Sequence, residues 1–292
     1  MKLKGYLLAI VSAVTYGLIP LFIIPIKTMG FPMDTTLFYR FFISSAFVSV
    51  YLFIKKESFR VQRHELFIMV ILGLLYALSS DLLFVGYDHL TPGIASTILF
   101  VYPVFVAIIL WLLFQEKLSR NTFLAIVITL SGVMVLSVKD NSFNINVVGL
   151  GVSVLSALSY ATYMVIVNKS RIEISGILVT FYSMFFSAVY YLCKAVLKDV
   201  DLFPDASLLL HLSVFALVTT VLSITALIYA IQLIGSTPTA IMGALEPVVA
   251  VAVSVLLFHE KLTLNLSIGV VLIITGVIYN ILSDRRKPQM SH

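Results

Sequence analysis

YPVFVAIILWLLFQEKL, residues 102–118, returns as EPVVAVAVSVLLFHEKL, residues 246–262. Pro103-Val104 answers Pro247-Val248, and Glu116-Lys117-Leu118 answers Glu260-Lys261-Leu262, at a constant shift of 144 residues. Working outward, the same shift carries Ser12-Ala13 and Tyr16 onto Ser156-Ala157 and Tyr160, and Asn121 and Gly132 onto Asn265 and Gly276. Phe38-Tyr39 match Phe181-Tyr182 at a shift of 143, so one residue has been lost or gained between. Residues 5–139 are thus repeated in residues 149–283, and each copy holds five long apolar stretches. After an odd number of crossings the second copy enters a membrane from the opposite side. The result is an inverted-topology repeat, an architecture typical of secondary transporters.

Composition places the chain in a bilayer. Hydrophobic residues make up 60% of it, charged residues 11%, and the mean hydropathy is +1.08; a soluble domain carries about 25% charged residues. A crossing helix needs about 20 mostly apolar residues. Ten such spans are expected, numbered here in chain order: 5–24, 34–54, 66–87, 93–113, 121–138, 149–168, 175–196, 211–234, 237–257 and 265–282. They consume almost the whole chain, so function must lie within an all-α bundle of ten transmembrane helices. Lys2 and Lys4 ahead of span 1 look like the start of a signal peptide. The apolar run is too long for one, lacks a small-residue cleavage site and is copied at 149–168, so it is expected to be retained. The single Cys193 excludes an internal disulfide and cannot alone make a thiolate metal site. No metal or cofactor is expected.

Orientation follows from Lys and Arg. With the N-terminus inside, the inner segments hold 13 of these residues and the outer segments 5, with Arg40 left within span 2. Both termini are therefore expected in the cytoplasm, with the chain in the plasma (inner) membrane. Topology accounts for the net charge of +5, and no nucleic-acid partner is implied. No two glycines stand four apart, so the Gly-x-x-x-Gly dimer motif is absent; that leaves a homodimer open.

Several of these residues carry a family resemblance. They are Ser12-Ala13 with Tyr16-Gly17, Ile94-Ala95-Ser96 leading to Tyr102-Pro103, Leu245-Glu246-Pro247-Val248, and Phe258-His259-Glu260-Lys261-Leu262-Thr263. The chain resembles the drug/metabolite transporter superfamily, in its ten-helix EamA branch, over residues 5–282. The resemblance implies an exporter or exchanger of small organic solutes, with a central cavity lined mainly by spans 1, 3, 4, 6, 8 and 9. Family members often carry Trp where Tyr16 and Tyr160 stand, which points to a different cavity size or substrate choice.

Depth selects the candidate site. At about 1.5 Å per residue, Tyr16 and Tyr160, each 11 residues into their spans, and Tyr102 and Glu246, each nine residues in, all fall near the bilayer midplane. Inverted-repeat transporters bind substrate at that depth. A carboxylate there costs about 2.5 kcal/mol or more on insertion scales and should face a partner or water. Glu246 is therefore a candidate for proton coupling or for contact with a cation; otherwise it is a hydrogen-bonded group holding the Pro247 kink. Pro103 and Pro247 are expected to bend spans 4 and 9 at matched positions. Tyrosine offers a stacking face as well as a hydroxyl, which suits a cationic solute too.

Arg40 and Asp81 lie at equal depth on consecutive antiparallel spans, so an ion pair is expected, either structural or serving as an outer gate. Alternatively, Arg40 anchors a substrate carboxylate. Neither charge is duplicated, since the repeat puts Ser183 and Thr225 at the matching positions. Ser79, Ser80, Ser223 and Thr225 are expected mainly to bond the local backbone or glue helices.

Enzyme motifs fail on inspection. His259-Glu260 opens like a zinc-protease motif, but Thr263 stands where the second His belongs. There is no Gly-rich phosphate loop, so direct ATP drive is not expected. The reading is a secondary transporter exporting or exchanging a small polar or amphipathic metabolite, an amino acid or related solute, with proton coupling through Glu246. An uncoupled facilitator, an importer of a nucleoside, choline-like cation or vitamin, and a channel or scaffold stand as alternatives.

Overall fold

A computed structural model describes residues 2–90, 98–116, 118–137, 146–170, 174–198, 203–257 and 264–285. Ile94-Ala95-Ser96, Lys117 and Phe258 to Thr263 lie outside the described residues. All regular structure among those described is helical. The elements are α1 (Lys2–Gly17), α2 (Ile19–Thr28), α3 (Met33–Ile54), α4 (Arg63–His89), α5 (Tyr102–Phe114), α6 (Arg120–Ser137) and α7 (Val147–Lys169), then α8 (Gly176–Leu197), α9 (Ala206–Ala216), a π-helical stretch π1 (Leu217–Leu222), α10 (Ser223–Ile234), α11 (Ser236–Gly243), α12 (Leu245–Leu257) and α13 (Leu264–Arg285). Seven continuous helical stretches are long and apolar enough to cross a membrane, and Tyr102–Phe114, Arg120–Val135 and Ser267–Ser283 are shorter apolar helices.

Local chemistry sets several helix starts. The Asn146 side chain accepts from the amides of Val148 and Gly149 at 2.9 and 3.2 Å, and Asp205 accepts from Leu208 at 2.7 Å. Gln62 and Glu65 close a reciprocal capping box at the start of α4. Each arrangement satisfies amides that the first helical turn leaves unpaired.

Packing follows the repeat. α1 packs on α10, and α7, its repeat mate, packs on α4. α5 packs on α7, and correspondingly α12 packs on α1, while α3 with α8 and α6 with α13 are pairs that the repeat maps onto themselves. The serines make the relation atomic. Ser12 and Ser223 hydroxyls lie 3.3 Å apart, and their repeat mates Ser156 and Ser79 also lie 3.3 Å apart. Each pair is completed by hydroxyl-to-carbonyl bonds across the helices, Ser223 to Ser12 at 3.1 Å and Ser156 to Ser79 at 2.6 Å. Ser79 and Ser223 are thus interhelical glue. Ser80 bonds the Tyr76 carbonyl one turn back, and the buried Thr225 hydroxyl has no partner among the described residues.

Gly132 and Gly276 explain why α6 and α13 approach backbone to backbone. A Cβ on Gly132 would stand 2.8 Å from the Gly269 carbonyl oxygen and the Ile273 nitrogen. One on Gly276 would meet Thr129 Oγ1 and come within 3.0 Å of the Thr129 nitrogen. Backbone cannot yield as a flexible side chain can, so Gly276→Leu should force the helices apart and cost about 1–3 kcal/mol. A clear drop in the melting temperature of the purified protein, with none for Met134→Leu on the exposed face, is the expected result.

The prolines sit just after breaks rather than within continuous helix. α5 begins at Tyr102 with Pro103 in its first turn, behind a turn at Phe100-Val101. Span 9 is broken at Ala244, and Pro247 falls in the first turn of α12. Phe100 and Ala244 are repeat mates, so matched interruptions of the helix stand one turn N-terminal to each proline. Proline is tolerated in a first turn because no intrahelical partner awaits its missing N–H. Span 8 carries a π-helical stretch with no counterpart in α4.

Candidate functional site

The break at Ala244 shapes the centre of the bundle. Tyr102 enters from α5, and its hydroxyl donates to the Ala240 carbonyl at 3.1 Å. The phenol oxygen occupies the space where any residue larger than glycine at 243 would place its Cβ. Glu246 Oε1 lies 3.4 Å from that same point, so the repeat mates Tyr102 and Glu246 converge on Gly243. From α1, Gly17 lets the backbone close on the Glu246 carbonyl, where a Cβ would stand at 2.7 Å. Glu246 is 7% exposed and has no Lys, Arg or hydrogen-bonding partner among the described residues.

Tyrosine rings build the rest. Tyr160 stands edge-on to Tyr102 with centroids 4.9 Å apart. Tyr76 packs against Tyr160 at 6.1 Å and against Tyr163 at 5.4 Å. The Tyr76 hydroxyl reaches that of Tyr16 at 3.4 Å, and the Arg40 guanidinium lies 5.4 Å from the Tyr16 ring centre. Tyr16, Tyr102, Tyr160, Glu246 and Arg40 therefore belong to one connected cluster. Tyr76 and Tyr163 were not singled out from the sequence. Tyr163 carried a usable signal: it stands three residues after Tyr160 and so shares its helix face.

Arg40 does not pair with Asp81. It donates from Nε to the Thr220 hydroxyl at 2.7 Å and from Nη2 to the Thr219 carbonyl at 3.4 Å, both on π1. The rings of Phe215 and Phe41 flank it at 5.0 and 5.5 Å. The wider π turn presents Thr219 and Thr220 to a side chain from α3, and the rings supply the attraction that a carboxylate otherwise would. Asp81 instead binds Lys194, and accepts a hydrogen bond from Tyr190 at 2.9 Å. Lys194 also reaches Asp34 at 3.1 Å, and Lys198 meets Asp34 at 2.8 Å. A depth counted along the spans does not decide the pairing: Asp81 faces α8, while Arg40 faces π1. Because Lys194 serves two carboxylates and the half-exposed Lys198 one, Lys194→Met should lower the melting temperature more than Lys198→Met. Equal effects would mean that the network adds nothing beyond isolated surface pairs, each worth about 0–1 kcal/mol.

A break in span 9 thus sets a buried carboxylate, unpaired among the described residues, beside tyrosine rings from both repeats. The EamA-like transporter family model matches residues 3–138 and again 147–282, and the chain belongs to that family. It is 26% identical over 201 residues to the uncharacterized transporter YvbV of Bacillus subtilis, covering 66% of this chain and 64% of that one. An uncharacterized transporter of Synechocystis is 28% identical over 210 residues, covering 70% of this chain and 62% of that one. One of Clostridium kluyveri is 22% identical over 245 residues, covering 80% and 78%. The matched stretch thus spans less than two thirds of the length of the first two relatives. A solved crystal structure superposes with a TM-score of 0.80 at 16% identity, covering 97% of this chain and 99% of that one. That likeness concerns the fold.

Proposed function

We propose that the protein is a secondary transporter exporting or exchanging a small polar or amphipathic metabolite, of amino-acid type, by alternating access. Ten spans in two inverted units, 5–139 and 149–283, would rock about the centre, with both termini in the cytoplasm. The carrying observation is Glu246: buried, without a cationic partner among the described residues, and converging with its repeat mate Tyr102 at the break in span 9. A carboxylate in that position either takes up a proton or meets a cationic group of the solute. Tyr16, Tyr102 and Tyr160 offer ring faces and hydroxyls beside it, and Arg40 marks the far end of the cluster. The Asp34, Asp81, Lys194 and Lys198 network ties α3, α4 and α8 at one end of the bundle. In this reading that end is the closed outer one, and the network opens when substrate leaves outward.

A thermal-shift screen of purified protein against amino acids, amines and related metabolites identifies the ligand, and counterflow in liposomes tests transport. Transient accumulation of labelled solute in preloaded vesicles supports a carrier. An ohmic current in planar bilayers without counterflow would establish a channel and end this proposal.

A further inference from the structure

A second site lies away from the tyrosine cluster. Between the halves, where α5, α7 and α13 end and α6 and α11 begin, is a cavity of about 330 Å³ lined by Glu116, Thr122, Lys169, Thr237 and Asn280 among others. Leu110, on its wall, stands eight residues beyond Tyr102 along α5, about 12 Å from the centre. The volume suits one small molecule.

We infer that this cavity binds an oxyanion group, a carboxylate or a phosphate. Three independent features supply donors and positive potential. Asn280 is 2% exposed, and its side-chain nitrogen has no hydrogen-bond partner among the described residues although Asn280 lines the cavity. An unmet buried donor costs about 1–3 kcal/mol, which a bound oxygen recovers. Next, Gly235 at φ 86° turns the chain into α11, whose first turn carries neither an acidic residue nor a side-chain cap. Its leading amides and the helix dipole favour an anion, Pro238 being the one position without an N–H. Last, Lys169 stands at the rim and is salt-bridged to Glu116, a half-exposed carboxylate from the other half of the chain. Lys169 thus already holds an oxyanion, and a soluble one competes with Glu116 for it. A cation finds Lys169 and the positive end of a helix.

If the transport reading holds, this is where the solute's anionic group is first captured at the cytoplasmic end. Binding itself does not depend on that reading: Glu246→Gln that left transport unchanged would remove the central site and not this one.

The test is a thermal-shift titration of the full chain in neutral detergent with sodium phosphate and sodium acetate, against sodium chloride at equal ionic strength. A saturable stabilisation by phosphate or acetate is expected. Lys169→Met and Asn280→Leu should weaken it about tenfold, the worth of one charge-assisted hydrogen bond. Near-isosteric Asn280→Asp should do the same by repulsion, should the leucine variant fold poorly. Glu116→Gln, which frees Lys169, should tighten binding. In nanodiscs, loss of the phosphate response with phosphatidylglycerol but not phosphatidylcholine would assign the site to a lipid headgroup. A response kept in both would assign it to a soluble anion. No saturable response beyond chloride, or affinities unchanged in the Asn280 and Glu116 variants, would overturn the inference.

Discussion

Glu246→Gln is expected to abolish transport driven by a pH gradient while leaving solute counterflow in place. Gln matches Glu in shape but is permanently neutral, so it mimics the protonated carboxyl. With Glu246 7% exposed and unpartnered among the described residues, its negative form is costly unless a proton or a cationic solute group arrives. Exchange of solute needs only that the loaded carrier reorient, which the neutral form allows. Net uptake against a gradient needs the carboxylate to shed its proton on one side and regain it on the other, which Gln cannot do. The variant should also melt no lower than the parent, because Gln cannot carry an uncompensated buried charge. Transport with an unaltered pH dependence in Glu246→Gln would show that the residue carries no proton. Loss of counterflow as well would shift its role to binding a cationic group of the solute directly.

The second large effect is expected at Gly243. Its missing side chain is the space that the Tyr102 hydroxyl fills. Gly243→Ala should drive that phenol off the Ala240 carbonyl, with losses in both transport and thermal stability of about 1–3 kcal/mol, as for other overpacked sites. Tyr102→Phe removes the offending oxygen, and the nearest remaining ring atom, Cζ, then stands 3.1 Å from the new methyl group, close but adjustable. The double variant should therefore recover stability relative to Gly243→Ala, a non-additivity expected only of residues in direct contact. Recovery of transport along with stability would make the Tyr102 hydroxyl dispensable and leave its ring as the working part. Additive losses would mean that the close approach at Gly243 does not matter.

Much of the arrangement was legible before any coordinates. The 144-residue shift explains why contacts recur, because the Ser12–Ser223 and Ser156–Ser79 contacts are two copies of one contact. Pro103 and Pro247 stand just behind matched breaks, and the repeat mates Tyr102 and Glu246 both approach Gly243. What the shift could not provide was azimuth. Residue counting along the spans assigns Arg40 and Asp81 matching depths, yet Arg40 turns to π1 and Asp81 to α8. Lys194, counted only as a loop-side charge, turned out to be the partner of Asp81. The π stretch that receives Arg40 left no mark either. Leu217–Leu222 reads as ordinary apolar helix, and the stretch packs against α3. Tyr76 was similarly hidden, since its repeat mate Thr220 does a different job, holding Arg40 rather than facing Tyr16.

The transport reading rests on reciprocal opening of the two ends. In a Cys193→Ser background, spin labels at positions 118 and 237 line the cavity at one end, one from each half. Labels at 29 and 197, exposed at 68% and 85%, report on the other. Pulsed distance measurements with and without the identified solute should show the first distance shortening as the second lengthens. Distances that stay fixed, or that lengthen together at both ends, would contradict alternating access about Glu246.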